Sequence, residues 1–468
     1  MVFKAALLTL GLLAPVLAAP ITELETRSPN NSKKVIASLF GWNWVSIGNE
    51  CSFLASAGYG YVQVGTAMEH IQGSQWWTDY QAVSYKIQNK RGSRTQFKNM
   101  VSQCHSHNVK VIVDVIFNHM AGIDGGTGVA GSSFSHFNYP GLYTNGDFHH
   151  CGLAPNDEIT DWNSEAQVET CMLENLADLN TESTSVRNKI AGHANDLISL
   201  GVDGFRVDAA KHINANSINA IAKKFSKSMY LTQEVVDTTS RWVDMHEAAG
   251  DVQEFRFAYL MKSAFNGNNI ASLKNINSEG FLPSGKANVF VANHDTERGG
   301  SSLNYNSGSA YTLAHVFMLA AGYGTPTVHS GFSFSNTDMG APNNGGGYCS
   351  GSGPTGGYEC QHRWTAIAHM VGFYNTAGSN AITHMTTNGG NQIAFGRGSV
   401  GSVAINNAGS AWKVTLTTSL PNGSYCDIIN GQKSGSKCTG ATIKVSGGKF
   451  SVTVNAHSAI AIYTGAKL

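Results

Sequence analysis

What the sequence lacks narrows the field first. It has no net charge: 31 Lys and Arg balance 31 Asp and Glu, and charged residues fill only 13% of its 468 positions. Without a positive excess there is no electrostatic footprint for nucleic acid or for an anionic membrane. There is no CxxC pair, which disfavours a thiolate metal site. Tandem repeats are absent, and no Ser/Thr-rich linker leads to a further module. Beyond the N-terminus no apolar run is long enough to span a bilayer.

The N-terminus reads as a secretory signal. Lys4 precedes an apolar run, Ala5 to Leu17, and Val16-Leu17-Ala18 offers small residues for cleavage after Ala18. The run is too short for an anchor. Residues 1–18 are therefore expected to be a signal peptide and 19–32 a polar leader, with Arg27 placed to end a propeptide. The eight Cys, an even number behind such a signal, imply disulfides in a secreted, extracellular protein. Close spacing suggests Cys151–Cys171, Cys349–Cys360 and Cys426–Cys438, leaving Cys51–Cys104; many other connectivities stay open. Asn30 and Asn422 begin glycosylation sequons. Nothing signals oligomerisation, so a monomer is the starting expectation.

What is present is organised around Gly201–His212, GVDGFRVDAAKH. Gly204–Asp208 alternates with period two, so Phe205 and Val207 face one way, Arg206 and Asp208 the other. Arg206 is expected to keep Asp208 ionised even when partly buried. Strand-like and helical runs alternate on either side. Lys34–Leu39, Tyr59–Val64, Val109–Ile116, the strand of Ile218–Glu234, Ala287–Asp295 and Thr325–His329 read as strands. Ile47–Ala57, Gln96–His107, Val186–Leu200, Tyr311–Tyr323 and Arg363–Tyr374 read as helices. The count of strands approaches eight, and the expected fold is α/β: a (β/α)8 TIM barrel at 33–117 and 179–376. A Gly- and Asn-rich stretch without helices breaks the rhythm after the third strand, giving an inserted loop-rich subdomain at 118–178. From 377 to 468 short alternating runs between turns give a C-terminal all-β sandwich.

Three carboxylates sit at the ends of candidate strands: Asp208 in GFRVD, Glu234 in MYLTQEVV, Asp295 in VFVANHD. Strand C-termini of a barrel converge on one face, so residues far apart in sequence share a pocket. Two carboxylates there can divide the work between an ionised nucleophile and an acid with a raised pKa. The blander reading makes each a cap on the following helix; three coincident caps are improbable. Trp76, Trp77 and Tyr80 add ring faces that complement the C–H face of a sugar. One of the two Trp is expected to plug the space beneath the loop.

Asp114-Val-Ile-Phe-Asn-His119, Gly204–Asp208 with Lys211-His212, Gln233-Glu234 and Phe290-Val-Ala-Asn-His-Asp295 resemble, in order and spacing, the four short blocks of the α-amylase family of glycoside hydrolases. The resemblance runs from about Val35 to the C-terminus. The surroundings are similar to the animal-type branch, and the signal and leader look fungal. The resemblance implies Asp208 as nucleophile, Glu234 as general acid/base and Asp295 as transition-state stabiliser. It also implies substrate contacts from Arg206, Lys211, His119, His212 and His294. A structural calcium ion is implied on Asn118, Asp178 and the backbone oxygen of His212. Glu169 stands where the animal branch uses an Arg carbonyl. One departure concerns chloride. Arg206 and Asn293 match the branch's chloride site, but its second Arg falls at Thr327, so chloride is not expected.

The implied activity is endo-acting hydrolysis of internal α-1,4 bonds in starch, glycogen and malto-oligosaccharides, with retention at the anomeric carbon. A transglycosylase of the same superfamily, a catalytically silent starch-binding protein and a structural disulfide-rich protein are the rivals. The first differs only in what resolves the intermediate; three carboxylates at strand ends argue against the other two.

Overall fold

The computed structural model describes residues 33–468. The expected signal peptide, leader and Asn30 sequon lie outside the described residues.

Eight parallel strands close into a barrel: β1 (Ile36–Leu39), β2 (Tyr61–Val64), β3 (Lys110–Ile116), β4 (Gly204–Asp208), β5 (Tyr230–Gln233), β6 (Asp251–Gln253), β7 (Ala287–Phe290) and β8 (Thr325–Ser330). Each pairs with its neighbours in sequence, and β1 closes the ring against β8 with Ile36 beside Thr327. β3 shows why: every residue after Lys110 is buried, because helices cover one face and the barrel interior fills the other. The interior is layered. Ile36, Tyr61, Ile112 and Tyr230 form an apolar floor. Above it Thr232 and Thr327 both hydrogen-bond to Asn288.

Local chemistry fixes the helices. Asn43 caps the helix Trp44–Ala57 through the Ser46 N–H, and Gly58, at φ 98°, ends it. The cap lies upstream of the apolar spacing, so the helix begins three residues before the expected Ile47. Its buried Cys51 forms a disulfide with Cys104 on the helix Arg94–Ser106, which opens on a Ser93/Gln96 capping box. The other three disulfides, Cys151–Cys171, Cys349–Cys360 and Cys426–Cys438, follow the pairing that spacing suggested.

The stretch between β3 and the helix Thr184–Ser199 is loop-rich, as expected, but not helix-free. It holds a ribbon of Gly125–Thr127 with Ser133–Ser135, two 3-10 turns, Asn145–Asp147 and Pro155–Asp157, and one α-helix, Glu165–Thr170, capped by Ser164. It returns to the barrel where His119 bridges Asp178.

The C-terminal part is all-β. Strands β9 (Ile382–Asn388), β10 (Gln392–Arg397), β11 (Gly401–Asn406) and, last in sequence, Ser458–Tyr463 form one antiparallel sheet. Trp412–Thr417 pairs with Lys449–Val454, and Gly423–Cys426 with Thr442–Val445. Ala394, Ala404 and Ile462 of the sheet meet Trp412, Tyr425 and Phe450 in a shared core.

Candidate active site

The site forms where β3, β4 and β5 end. Arg206 on β4 is in register with Asp114 on β3, and both point inward. Arg206 is almost wholly buried, and its Nη1 donates to Asp114 Oδ1 at 2.8 Å and to Asp208 Oδ1 at 2.6 Å. Its Nη2 pairs with Glu234. Arg206 pairs with Asp208 as expected, but one guanidinium serves three carboxylates, so its pull is divided. Burial pushes the Asp208 carboxyl well above the usual range; Arg206 pulls it down, but Glu234 and Asp114 push it further up. Burial likewise raises Asp114 to about 6 against the pull of Arg206.

Glu234 lies one residue beyond β5. Its backbone N–H donates to Val207 O at 2.9 Å, and its carboxylate accepts from the Ala209 N–H at 2.9 Å. Ala209 sits in the left-handed region, at φ 48°, an unfavourable place for a residue with a Cβ. The bond to Glu234 holds that turn, so the chain leaves β4 with Asp208 and Glu234 side by side.

Asp295 is not at a strand end. β7 stops at Phe290, and Asp295 lies in the first turn of the helix His294–Arg298. The Asn293 side chain caps that helix by accepting from the Asp295 and Thr296 N–H groups. The cap is spelled out in Asn293-His-Asp-Thr296, which reads as strand only if Asn293 is passed over. Asp295 is 43% exposed to the cleft, and His294 Nε2 lies 3.1 Å from its Oδ2. Desolvation raises its carboxyl, against Arg206 and Arg298.

Asp208, Glu234 and Asp295 line a cleft of about 800 Å³. Trp76, Trp77 and Tyr80, on one 3-10 turn after β2, form part of its wall, with His119 and His294 close by. The two Trp do not divide into plug and wall: both are half-buried, and both pack on the core and line the cleft. Lys211 and His212 line the cleft as well. Burial lowers His119 to about 4, His212 to about 3 and His294 well below the usual imidazole value, so all three are neutral near pH 7.

Residues 72–346 match the family model described as "Alpha amylase, catalytic domain", and residues 383–465 the one described as "Alpha amylase, C-terminal all-beta domain". The chain belongs to the alpha-amylase family. It is 46% identical over 444 residues to an alpha-amylase of Streptomyces violaceus, covering 94% of this chain and 75% of that one. It is 38% identical to an alpha-amylase-related protein of Drosophila willistoni, covering 93% and 95%. The crystal structure of alpha-amylase I from Eisenia fetida superposes with a TM-score of 0.87 at 34% identity, covering 92% and 97%. These relatives are bacterial and animal.

The calcium set implied by the family resemblance can be tested against the geometry. Leu179 N–H donates to Asn118 O at 2.8 Å, which brings Asn118 beside Asp178. Asp178 Oδ2 lies 2.6 Å from His149 Nδ1, while Oδ1 is buried with no hydrogen-bond partner; burial pushes this carboxyl up to about 7. Glu169 follows Val168, whose carbonyl meets His212 Nδ1 at 3.0 Å. Amide, carboxylate and backbone oxygens suit calcium, and the orphaned Asp178 oxygen is one a cation would satisfy. The residues fit the ion. Among the described residues no three His, Cys, Asp or Glu side chains cluster as a metal site. Where the chloride site of the animal branch needs a second Arg, Thr327 lies on β8 and its hydroxyl accepts from Asn288 Nδ2 at 2.9 Å.

Several residues of this site escaped sequence reasoning, Asp114, Trp162, Val236 and Asp338 among them. Asp114 was visible in a matched block, but its pairing with Arg206 depends on the β3–β4 register. Trp162, 49% exposed, lines the cleft from the inserted stretch, its ring edge-on to His212 and 5.7 Å from Lys211 Nζ. A lone Trp in a polar loop was the available signal. Val236 and Asp338 also line the cleft. Asp338 accepts from Trp77 Nε1 at 3.2 Å across a loop after β8, a contact with no trace in the sequence.

Proposed function

We propose that this enzyme is a secreted, endo-acting α-amylase that hydrolyses internal α-1,4-glucosidic bonds of starch, glycogen and malto-oligosaccharides with retention. The observation that carries the reading is the sharing of one guanidinium by Asp208 and Glu234 at the floor of an aromatic-walled cleft. Retention needs the two carboxyl groups roughly 5 Å apart, and a common partner favours that closeness. A structure of the Eisenia protein, a Glu-to-Gln variant, is a maltohexaose complex, which supports the substrate class.

Ionised Asp208 attacks the anomeric carbon while protonated Glu234 gives its proton to the departing oxygen. A glycosyl ester on Asp208 results. Glu234, now a base, takes a proton from water, and the hydroxyl displaces Asp208 with a second inversion. Asp295 binds sugar hydroxyls and favours the distorted ring. Each neutral imidazole commits its single N–H, His119 Nε2 to Tyr80 O, His212 Nδ1 to Val168 O and His294 Nε2 to Asp295 Oδ2, which leaves the other ring nitrogen to accept from hydroxyls. Trp76, Trp77, Tyr80 and Trp162 offer ring faces along the cleft.

Calcium on Asn118, Asp178 and the carbonyls of Glu169 and His212 would tie the subdomain 118–178 to the barrel at 33–117 and 179–376. The sandwich follows from 377. Chelation with EDTA is expected to lower the melting temperature, and added calcium to restore it. No response would sink the calcium assignment. Chloride is not required on this reading. Four disulfides favour an extracellular setting, and exposed Asn422 is open to a glycan. The protein is assigned as a monomer.

The deciding experiment digests soluble starch with wild type and Asp208→Asn and follows product anomers by proton NMR. Initial α-anomer from wild type, and a loss of about four to six orders of magnitude in the variant, is the expected result. Initial β-anomer would overturn the mechanism. Firm starch binding without cleavage would make the chain a silent binder.

A further inference from the structure

A buried arginine beside the cleft has no part in the mechanism above. Arg298 ends the short helix that begins at His294, and its side chain is only 3% exposed. Nη1 donates to His294 O at 3.1 Å and contacts Glu297 Oε1 at 3.4 Å. Nε and Nη2 are buried without an acceptor. Aromatic rings surround the cation instead: Phe334 at 4.5 Å, Phe332 at 4.9 Å, Phe40 at 5.0 Å and Trp76 at 5.5 Å from ring centroid to guanidinium carbon. Tyr80, His294, Phe40 and Phe332 themselves stack as one column, with centroids 5.3, 4.7 and 5.7 Å apart. A desolvated cation with unmet donors is a poor way to fill a core, since an apolar side chain would fill it without that cost.

We propose that Arg298 is a positioning residue: its guanidinium locks Trp76, on the cleft wall, to the helix that carries His294 and Asp295. Ring platform and carboxylate are thereby held at one fixed separation for adjoining sugar units. Arg298 also pulls the Asp295 carboxyl down, second to Arg206, against the burial that raises it. The inference rests on the hydrolytic reading above.

The test measures kcat and KM on maltoheptaose for the full chain carrying Arg298→Met, Arg298→Lys or Phe334→Leu, with the folded fraction followed by circular dichroism. Arg298→Met is expected to raise KM and lower kcat, together about a hundredfold in kcat/KM, the size of a misplaced positioning contact. Arg298→Lys returns a cation near Asp295 and restores most of kcat. It keeps the raised KM, because an ammonium lacks the planar stacking face. Phe334→Leu removes the nearest ring and raises KM at unchanged kcat. If Arg298→Met does not fold, Phe334→Leu and Arg298→Lys decide. Wild-type KM in the folded variants overturns the proposal. So does a fall in kcat at unchanged KM that tracks the unfolded fraction. Wild type inactive on maltoheptaose overturns the hydrolytic reading, and this inference with it; an active wild type with unaltered variants overturns this inference alone.

Discussion

As the proposed nucleophile Asp208 must be ionised, yet it sits among groups that favour its proton. Burial raises it, Arg206 opposes, and Glu234 and Asp114 raise it further. Activity is therefore expected to fall, as pH drops, through a carboxylate well above its ordinary range. Asp114→Asn removes one negative neighbour, so the pKa of Asp208 falls and the acidic limb of kcat/KM moves to lower pH. A pH–rate profile of that variant checks the sign; a limb that stays in place would mean that another group sets it. The residue scale is also where sequence reading reached furthest and then stopped. Period-two alternation placed Arg206 and Asp208 on one face. It could not say that a second carboxylate stands across the ladder at Asp114 and a third above it at Glu234, because that needs the register of three strands.

At the scale of elements, what was legible tracks how strongly each segment is patterned. β3 announces itself as an unbroken β-branched run, and the helix Arg94–Ser106 by its buried Phe97, Met100, Val101 and Cys104. β6 did not: Asp251-Val-Gln253 is three residues with polar ends, held in the ring by its neighbours and not by its own pattern. Asp251 is nevertheless informative. It lies at the floor of the barrel, accepts from Tyr230 Oη at 3.0 Å, and burial pushes it up to about 7 despite Tyr230, Lys286 and Lys34. A carboxyl raised in the folded state contributes stability that is complete below its unfolded pKa near 4. That stability is lost as pH rises through about 7. Asp251→Asn keeps the acceptor and removes the charge. It is expected to melt with wild type near pH 4 and above it beyond pH 7, by scanning calorimetry across pH. Equal melting temperatures at pH 8 would refute this.

At the scale of the molecule, barrel and sandwich share one core and are pinned by side chains, His369 to Ile428 O, Asn407 to Phe265 O and Arg397 to Ala320 O among them. Arg397 on β10 donates to Asn380 O, Ala320 O and Gly378 O, each at 2.7 Å. Ala320 and Gly378 lie at the C-terminal ends of the helices Ser309–Ala321 and Thr365–Ala377, where unpaired carbonyls concentrate. Gly322, at φ 69°, leaves room for the guanidinium; a Cβ there would fall 2.2 Å from Nη1. Arg397→Ala is expected to lower stability by about 2–4 kcal/mol, read as a fall in melting temperature by scanning calorimetry. An unshifted melting temperature would show that the shared core and the other hydrogen bonds hold the two parts without it.

The seam of the barrel has a consequence for how the protein is made. Ile36 of β1 finds its partner Thr327 of β8 only near the end of the catalytic part. At roughly 5–20 residues per second, ribosomes take on the order of 15–60 s to span that interval. Throughout it the first strand has one bare edge, and the nascent chain is open to mispairing. Asp208 and Glu234 can meet early, on adjacent strands, but Asp295 arrives much later. Chains arrested before residue 325 should therefore be handled by chaperones and not by substrate.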